Sequence, residues 1–476
     1  MRRTKILATL GPATDSETTL ENLLLAGANV VRLNFSHGSA QDHIKRAELV
    51  RHCAEKHQLN VAILVDLQGP KIRIGRFEND SVKLKEGDTF VLDASDESIM
   101  GNEQGVSIAY PELPRDCKKG DILMLDDGRI QLRVESVDGL KLNCQVRVGG
   151  KLSNNKGINK QGGGLSAPAL TDKDRADIKT ASEIEADYVA VSFPKTGDDI
   201  REARELLEAA GSNAAIVAKI ERAEAVIHST LDDIIEASDA VMVARGDLGV
   251  EIGDAELVGT QKHIIRRAND LNRLVIVATQ MMESMITSTM PTRAEVFDVA
   301  NSVLDGADAV MLSAETATGE YPVEVVRAMS RICVGAEKNP MAQLTDHRMS
   351  RKFERTDEMI AMATMYTANH LGSVKAIICL TESGDTPKWM SRISSSLPIY
   401  GLTRRKPTQR KMALFKGVQA LYFDSTAMES NQVNEAAIDF LKQRGAICSG
   451  DRVIYTKGTQ MGLHGATNAL MILQVP

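Results

Sequence analysis

Lys219, Glu221 and Asp247 are the residues of this chain best suited, by type and spacing, to do chemistry. Lys219 and Glu221 follow the apolar run Ala215–Ala218, and Asp247 follows the run Ala240–Ala244 within Arg245-Gly246-Asp247-Leu248-Gly249. Short apolar runs followed by helical spacing read as buried parallel strands. Residues two apart on a strand point the same way, so Lys219 and Glu221 leave the first strand on one side. If the two strands are neighbours, Glu221 and Asp247 meet at one edge. Two carboxylates that close repel unless a divalent cation lies between them, and hard oxygens suit Mg²⁺ or Mn²⁺. Lys219 is then a fixed positive charge for an anionic substrate. Surface charges capping two strands are the alternative for any one residue. Five charges closing two adjacent buried strands weigh against it.

The elements that must position these residues recur along the chain. Lys5–Leu10 is an apolar run stopped by Gly11-Pro12; Val30–Leu33 leads to Asn34, Ser36 and His37; Val61–Val65 leads to Asp66 and Gln68. Tyr188–Val191 leads to Ser192, Leu274–Ala278 to Thr279 and Gln280, and Ala309–Leu312 to Ser313 and Glu315. With the two strands above, this makes eight apolar strands that close on small or polar residues. The segments between them are helical in pattern. Thr292 and Glu295, for instance, are spaced as a capping box before a helix that Asp305-Gly306 ends. Eight such units predict a (β/α)8 TIM barrel, whose active site lies at the C-terminal face of the strands.

One unit is interrupted after Gly69-Pro70. Residues Ser81–Lys85, Thr89–Leu92, Ile130–Val134 and Leu140–Leu142 alternate like strands, with Gly-Asp and Asp-Gly turns between them. That predicts an inserted all-β lid domain, returning through Ser153–Gly157 and Gly162–Gly164 as a flexible hinge. After about Asn339-Pro340 comes a C-terminal open α/β domain. It should hold a helix at Glu358–Leu371, strands at Val374–Leu380, Pro398–Thr403, Val418–Phe423 and Val453–Thr456, and a helix at Asn431–Arg444. The expected boundaries are 1–69 and 167–345 for the barrel, 70–166 for the lid and 346–476 for the C-terminal domain. Thr381, Ser383, Gly384 and Thr386 close the first strand of that last domain ahead of Pro387. They read equally as a phosphate site or as an ordinary capped turn. The run Arg404-Arg405-Lys406 reads as a solvated surface rather than an effector grip, and Met281, Met282, Met285 and Met290 read as packing.

Bulk properties set limits on partners. The chain has 476 residues, more than one core can organise, with 43% hydrophobic and 25% charged residues. A net charge of −7 disfavours nucleic acid. No stretch approaches the ~18 apolar residues of a membrane span, and the apolar run after Met1-Arg2-Arg3 is too short for a signal peptide. Six scattered cysteines without a paired spacing read as free buried thiols, hence a cytoplasmic protein.

The motifs TKILATLGPA, VVRLNFSHG, VDLQGPKIR, VSFP, AKIE, VMVARGDLGVE, ATQMMESM, PTRAEVFDVANSVLDGADAVMLSAET and TESG follow in this order over the full chain. Together they resemble the pyruvate kinases, insertion and C-terminal domain included. The resemblance implies phosphoryl transfer between phosphoenolpyruvate and ADP, giving pyruvate and ATP at the end of glycolysis. By that resemblance, Glu221 and Asp247 hold Mg²⁺ or Mn²⁺, Lys219 and Arg32 hold the phosphoryl group, and the amides of Gly246 and Asp247 take the substrate carboxylate. Thr279, with Ser313 and Glu315 in a relay, delivers a proton to the enolpyruvate carbon. Asn34, Ser36, His37, Arg73 and Lys156 match positions that contact ATP. Members that need K⁺ hold it with groups matching Asn34, Ser36, Asp66 and the Leu67 carbonyl, and carry a glutamate where this chain has Lys71. The exchange implies that K⁺ is not required here. The family further implies a homotetramer and a phosphorylated effector near Thr381, Ser383, Gly384 and Thr386. Relatives carry Arg or Lys where this chain has Asp385, which favours a sugar monophosphate or AMP. Two readings compete: a pyruvate-dependent Schiff-base aldolase using Lys219, and a non-catalytic sensor of phosphorylated metabolites.

Overall fold

The computed structural model describes residues 1–339, 352–429, 432–458 and 465–476. Eight parallel strands close into a barrel: Lys5–Thr9, Val30–Asn34, Ala62–Asp66, Tyr188–Val191, Ala215–Ile220, Ala240–Ala244, Leu274–Ala278 and Ala309–Leu312. Each pairs with the next in sequence, and the first pairs with the last. Every strand overlaps one of the expected apolar runs. The runs were legible because a strand covered on one side by helices and on the other by the barrel interior must be apolar on both faces.

Alternation along these strands builds the site. Leu7, Val30, Leu64, Ala190, Val217 and Met311 belong to one buried cluster inside the barrel. Their neighbours in sequence pack outward against the helices. Two residues further along, in the same inward phase, stand Thr9, Arg32, Asp66, Ser192, Lys219 and Ser313. The inward face thus changes from apolar to charged and hydroxylic at the C-terminal end of the barrel. Glu221 continues the phase of Lys219, and Asp247 enters on the helix Arg245–Ile252, which starts directly after the sixth strand.

The insertion is built of β-strands apart from the one-turn helix Leu113–Asp116, with more strands than the alternating runs showed. Ser81–Leu84 pairs with Gly150–Ser153. A six-stranded sheet runs in the order Ile158–Lys160, Ile122–Leu125, Ile130–Asp138, Lys141–Val148, Thr89–Asp93 and Gly105–Ser107. The return path is not a free hinge, as expected from its glycines. Ser153 ends a paired strand, and the Lys156 carbonyl accepts from Ile74 N–H at 2.9 Å. Gly162 N–H donates to the Glu251 carbonyl at 2.9 Å, and Gly164 N–H donates to the Glu224 carboxylate. The strap is pinned to the barrel at both glycines.

The C-terminal sheet has the strand order Val418–Tyr422, Ile399–Thr403, Val374–Leu380, Arg452–Gly458 and Thr467–Gln474, the last antiparallel and absent from the sequence reading. Its helices include Thr356–His370 and Val433–Gln443. The expected boundary at 345/346, Pro340, and the helix start at Asn431 lie outside the described residues. This domain meets the N-terminal end of the barrel, away from the charged face. There Asp308 forms a fully buried ion pair with Arg392, and Lys5 Nζ donates to the Val418 carbonyl at 2.7 Å. Two expectations about packing are corrected. Met290 is 73% exposed while Met281, Met282 and Met285 are buried. Cys448 is exposed, whereas the other five cysteines are buried and all six are free.

Candidate active site

Lys219 stands at the centre of the charged face. Its ammonium has three protons and three acceptors: Ser192 Oγ at 2.7 Å, Glu221 Oε1 at 2.9 Å and Asp66 Oδ1 at 3.3 Å. Burial disfavours the charge, but Asp66 and Glu221 outweigh burial and hold the pKa above the ordinary lysine value. Asp66 in turn receives Arg32 Nε at 2.6 Å on its other oxygen, and Arg32 Nη1 reaches Thr9 Oγ1 at 3.2 Å. Burial would raise the Asp66 pKa; Lys219 and Arg32 reverse this and hold it below the usual carboxylate range. Two cations are therefore fixed over one ionised carboxylate.

Glu221 is 1% exposed, and its other oxygen accepts from Phe193 N–H at 2.8 Å. Burial pushes its pKa up, and the charge of Asp247 adds to that against the pull of Lys219. A carboxylate raised by its acidic neighbour is the donor set a divalent ion reverses. Among the described residues no third acidic, histidine or cysteine side chain joins such a group. Glu221 and Asp247 fit a hard cation that takes its remaining oxygens from substrate and water. Lys71 Nζ reaches to 3.8 Å from Asp247 Oδ1.

Thr279 is held in a conformation that needs a cause. Its φ is +68°, followed by +55° at Gln280, in the left-handed region that a β-branched residue avoids. Its Oγ1 donates to the Ala278 carbonyl at 2.6 Å and accepts from Gly246 N–H at 2.9 Å. The restraint comes from Arg245, buried at 8% exposure, whose Nε donates to the carbonyls of Thr279 at 3.1 Å and Ala278 at 3.3 Å. Asp298 fixes Arg245 at 2.6 Å. Among the described residues Ser313 Oγ is buried without a partner, while Glu315 accepts from the amides of Ser313 at 2.6 Å and Met282 at 3.2 Å. Gly246, Asp247, Thr279, Ser313 and Glu315 share a cleft of about 590 Å³ with Asp127, Arg129 and Gln131 of the insertion.

The comparisons with known proteins agree with this geometry. Residues 1–326 match the family described as pyruvate kinase, barrel domain, and residues 358–473 match pyruvate kinase, alpha/beta domain. Pyruvate kinase II of Salmonella typhimurium is 58% identical over 476 residues, covering 100% of this chain and 99% of that protein. A pyruvate kinase of Haemophilus influenzae is 56% identical, over 97% of this chain and 96% of its own length. The crystal structure of a pyruvate kinase from Cryptosporidium parvum superposes with a TM-score of 0.93 at 34% identity, covering 100% of this chain and 96% of that one.

The chain belongs to the pyruvate kinase family.

It is therefore a phosphotransferase of a family that binds phosphoenolpyruvate and ADP or ATP and uses Mg²⁺ or Mn²⁺. A Schiff-base aldolase needs a neutral amine. Lys219, held charged by two carboxylates, is the wrong lysine for it. No described helix is long and apolar enough to cross a membrane.

The residues matched to ATP contacts of pyruvate kinases do not line the 590 Å³ cleft. Asn34 and Ser36 follow the second strand, where Ser36 N–H donates to Asn34 Oδ1 at 3.2 Å, and His37 beside them is exposed. Arg73 and Lys156 lie on the two stalks of the insertion. Arg73 Nη1 donates to the Asn155 carbonyl at 3.0 Å, and Lys156 pairs with Asp126 at 2.7 Å. Gly246 N–H is engaged by Thr279 Oγ1, which ties the start of the helix Arg245–Ile252 to Thr279. Ser192 and Arg245 were given no role from sequence. Ser192 was findable, because it lies in the inward phase of its strand. Arg245 was not, since its task is set by the backbone of another strand.

In the C-terminal domain, Thr381, Ser383 and Thr386 line a cavity of about 70 Å³ together with Arg404, Lys457 and Thr467. Gly384, at φ +87°, donates its N–H to Thr381 Oγ1 at 2.9 Å. Asp385 is ion-paired to Lys388 at 3.2 Å and accepts from Ser383 Oγ at 2.9 Å. The basic run is not simply solvated. Arg404 and Arg405 both pair with Glu382, at 2.8 and 2.9 Å, and Arg404 forms part of the cavity wall.

Proposed function

We propose that Lys219, Arg32, Glu221, Asp247 and Thr279 divide the work of transferring the phosphoryl group of phosphoenolpyruvate to ADP. The observation that carries this reading is the Lys219 ammonium, buried, charged and fully hydrogen-bonded at the C-terminal face of a barrel. Phosphoryl transfer asks a protein for positioning and positive charge more than for covalent chemistry. Lys219 and Arg32 supply two such charges, already oriented by Asp66. Glu221 and Asp247 hold the divalent ion, which when bound neutralises charge on the phosphoryl and carboxylate groups of the substrate. The amides at Gly246 and Asp247 open a helix and suit the substrate carboxylate, which would take the Gly246 N–H over from Thr279 Oγ1. Thr279 Oγ1, with Ser313 and Glu315 on the same cleft wall, delivers a proton to the enolpyruvate carbon by way of water. Asn34, Ser36, His37, Arg73 and Lys156 take the nucleotide between the barrel and the lid of residues 70–166.

A titration with Mn²⁺ followed by electron paramagnetic resonance tests the metal pair. Wild type is expected to take one ion per chain at Glu221 and Asp247. Asp247→Asn is expected to weaken it at least about tenfold, roughly 1.4 kcal/mol. Equal affinity in the variant would show that Asp247 is not a ligand.

K⁺ is not required in this reading. The groups it would use already have partners: Asp66 is taken by Arg32 and Lys219, and the Leu67 carbonyl accepts from Ser192 Oγ at 2.7 Å. Lys71 adds a positive charge beside Asp247.

The cavity at Thr381, Ser383, Gly384 and Thr386 takes an activating phosphorylated metabolite, a sugar monophosphate or AMP. Arg404 and Lys457 are the cations of the lining that would meet a phosphate; of its three carboxylates, Glu382 is paired with Arg404 and Arg405, Asp357 with Arg355 and Asp385 with Lys388. Activators are expected to lower the half-saturating phosphoenolpyruvate concentration in wild type and to lose that effect in Ser383→Asp, which adds a negative charge to the cavity. Kinetics indifferent to every sugar monophosphate and to AMP would remove the effector site. The working molecule is read as a cytoplasmic homotetramer, which sedimentation would count.

A further inference from the structure

The turn Ser192-Phe193 closes the fourth barrel strand and touches both Lys219 and Glu221 without having any part in the reaction as described so far. Ser192 is 1% exposed. Its hydroxyl donates to the Leu67 carbonyl at 2.7 Å, so its lone pairs are left to accept from Lys219 Nζ, also at 2.7 Å. Phe193 sits at φ +55°, a left-handed conformation rare for a bulky side chain, and this aims its N–H at Glu221 Oε2. From the other side Gly69, at φ +65°, packs so closely that a Cβ there would lie 2.7 Å from Ser192 Cβ. A strained turn and a required glycine thus fix one hydroxyl against the ammonium.

The ammonium's three acceptors differ in what else they serve. Glu221 would also hold the metal, so its share of the ammonium would be divided with a bound divalent ion. Ser192 and Asp66 stand outside that pair and set the direction of the remaining N–H. Of the two, Ser192 is the shorter contact. Resting on the phosphoryl-transfer reading of Lys219, we infer that Ser192 is a positioning residue, its buried hydroxyl holding the Lys219 ammonium so that the remaining N–H faces the phosphoryl group in flight. Loss of the hydroxyl leaves Asp66 as the one anchor outside the metal pair for a group that can rotate about its Cε–Nζ bond and tilt on its stem. Misplacement by about 1 Å costs on the order of a hundredfold in rate.

Ser192→Ala tests this, with Ser192→Cys as the variant that keeps the volume and a weak acceptor. For Ser192→Ala, kcat for phosphoryl transfer is expected to fall about tenfold to a hundredfold, with KM for phosphoenolpyruvate changed less than about threefold. Ser192→Cys is expected to fall between wild type and Ser192→Ala. On the roles proposed above, exchange of solvent deuterium into the methyl group of pyruvate should draw on Thr279 and the metal pair but not on Lys219. It is expected to stay within about threefold of wild type. Crystals of Mn²⁺-loaded Ser192→Ala are expected to show the Lys219 side chain displaced or spread over rotamers relative to Mn²⁺-loaded wild type. An unmoved Nζ, within about 0.5 Å, overturns the inference, as does a kcat within about twofold of wild type. So does a parallel loss of transfer and exchange, which would mark general disruption of the site. A wild-type-like Ser192→Ala beside an inactive Lys219→Met removes only the positioning role; an active Lys219→Met removes the reading beneath it.

Discussion

Lys219→Met is expected to lower kcat by about a thousandfold or more, roughly 4 kcal/mol of barrier, while the protein folds normally. The loss is large because the ammonium is a fixed charge in a site that is only 12% exposed, where no mobile cation can substitute at the same position. The fold survives for reasons visible around the residue. Asp66 keeps its 2.6 Å contact with Arg32, and Glu221, whose pKa burial already raises, can take up a proton instead of standing as a bare charge. Methionine matches the lysine stem in length and packs against the same barrel interior. Rates from an assay coupled to pyruvate formation, together with a circular dichroism melt, check both halves. Retention of a tenth of wild-type kcat, or about 1.4 kcal/mol, would show that Lys219 does not stabilise the phosphoryl group.

Phosphoenolpyruvate turnover is expected to proceed without K⁺, and Lys71→Glu is expected to make it K⁺-dependent. The substitution moves the charge beside Asp247 by two units, from an ammonium 3.8 Å away to a carboxylate in the same place. With the ammonium present, a free cation finds its would-be ligands engaged and a like charge nearby. With glutamate there, uncompensated negative charge accumulates around Asp247, and a monovalent ion restores the balance. The measurement is kcat/KM for phosphoenolpyruvate in tetramethylammonium buffer, with and without K⁺ at matched ionic strength. Wild type should change less than about tenfold, or 1.4 kcal/mol. Lys71→Glu should lose activity in tetramethylammonium and recover part of it with K⁺. A wild type activated beyond that limit would show that Lys71 does not stand in for the ion.

What the sequence disclosed follows from how far each interaction reaches. The eight barrel strands were readable because burial on both faces keeps their middles apolar and leaves polar residues to their ends, and Lys219 and Glu221 because a period of two is local. The neighbourhood of Glu221 and Asp247 required only that consecutive strands pair, as parallel barrels do. The return strap was misread for the opposite reason. Gly162, Gly163 and Gly164 look flexible alone, but their partners Glu224 and Glu251 lie well down the chain, on the barrel. The short strands Gly150–Ser153 and Ile158–Lys160 were missed likewise, since each owes its conformation to a distant partner rather than to alternation. Arg404 was taken for a solvated residue because charge runs usually are; Glu382 and the cavity wall are brought to it by a neighbouring strand. Thr279 is legible as the residue that follows the seventh strand, yet nothing in ATQMMES announces a left-handed threonine or the arginine that restrains it.

The most direct measurement is turnover of phosphoenolpyruvate and ADP by the purified protein, with ATP and pyruvate quantified separately and Mg²⁺ added or chelated. The account predicts ATP and pyruvate in equal amounts, no product when any of phosphoenolpyruvate, ADP or divalent ion is withheld, and restoration by Mn²⁺. Pyruvate released without ATP, or undiminished turnover after chelation, would contradict the assignment of Glu221 and Asp247 to a metal and of Lys219 to the transferring phosphoryl group.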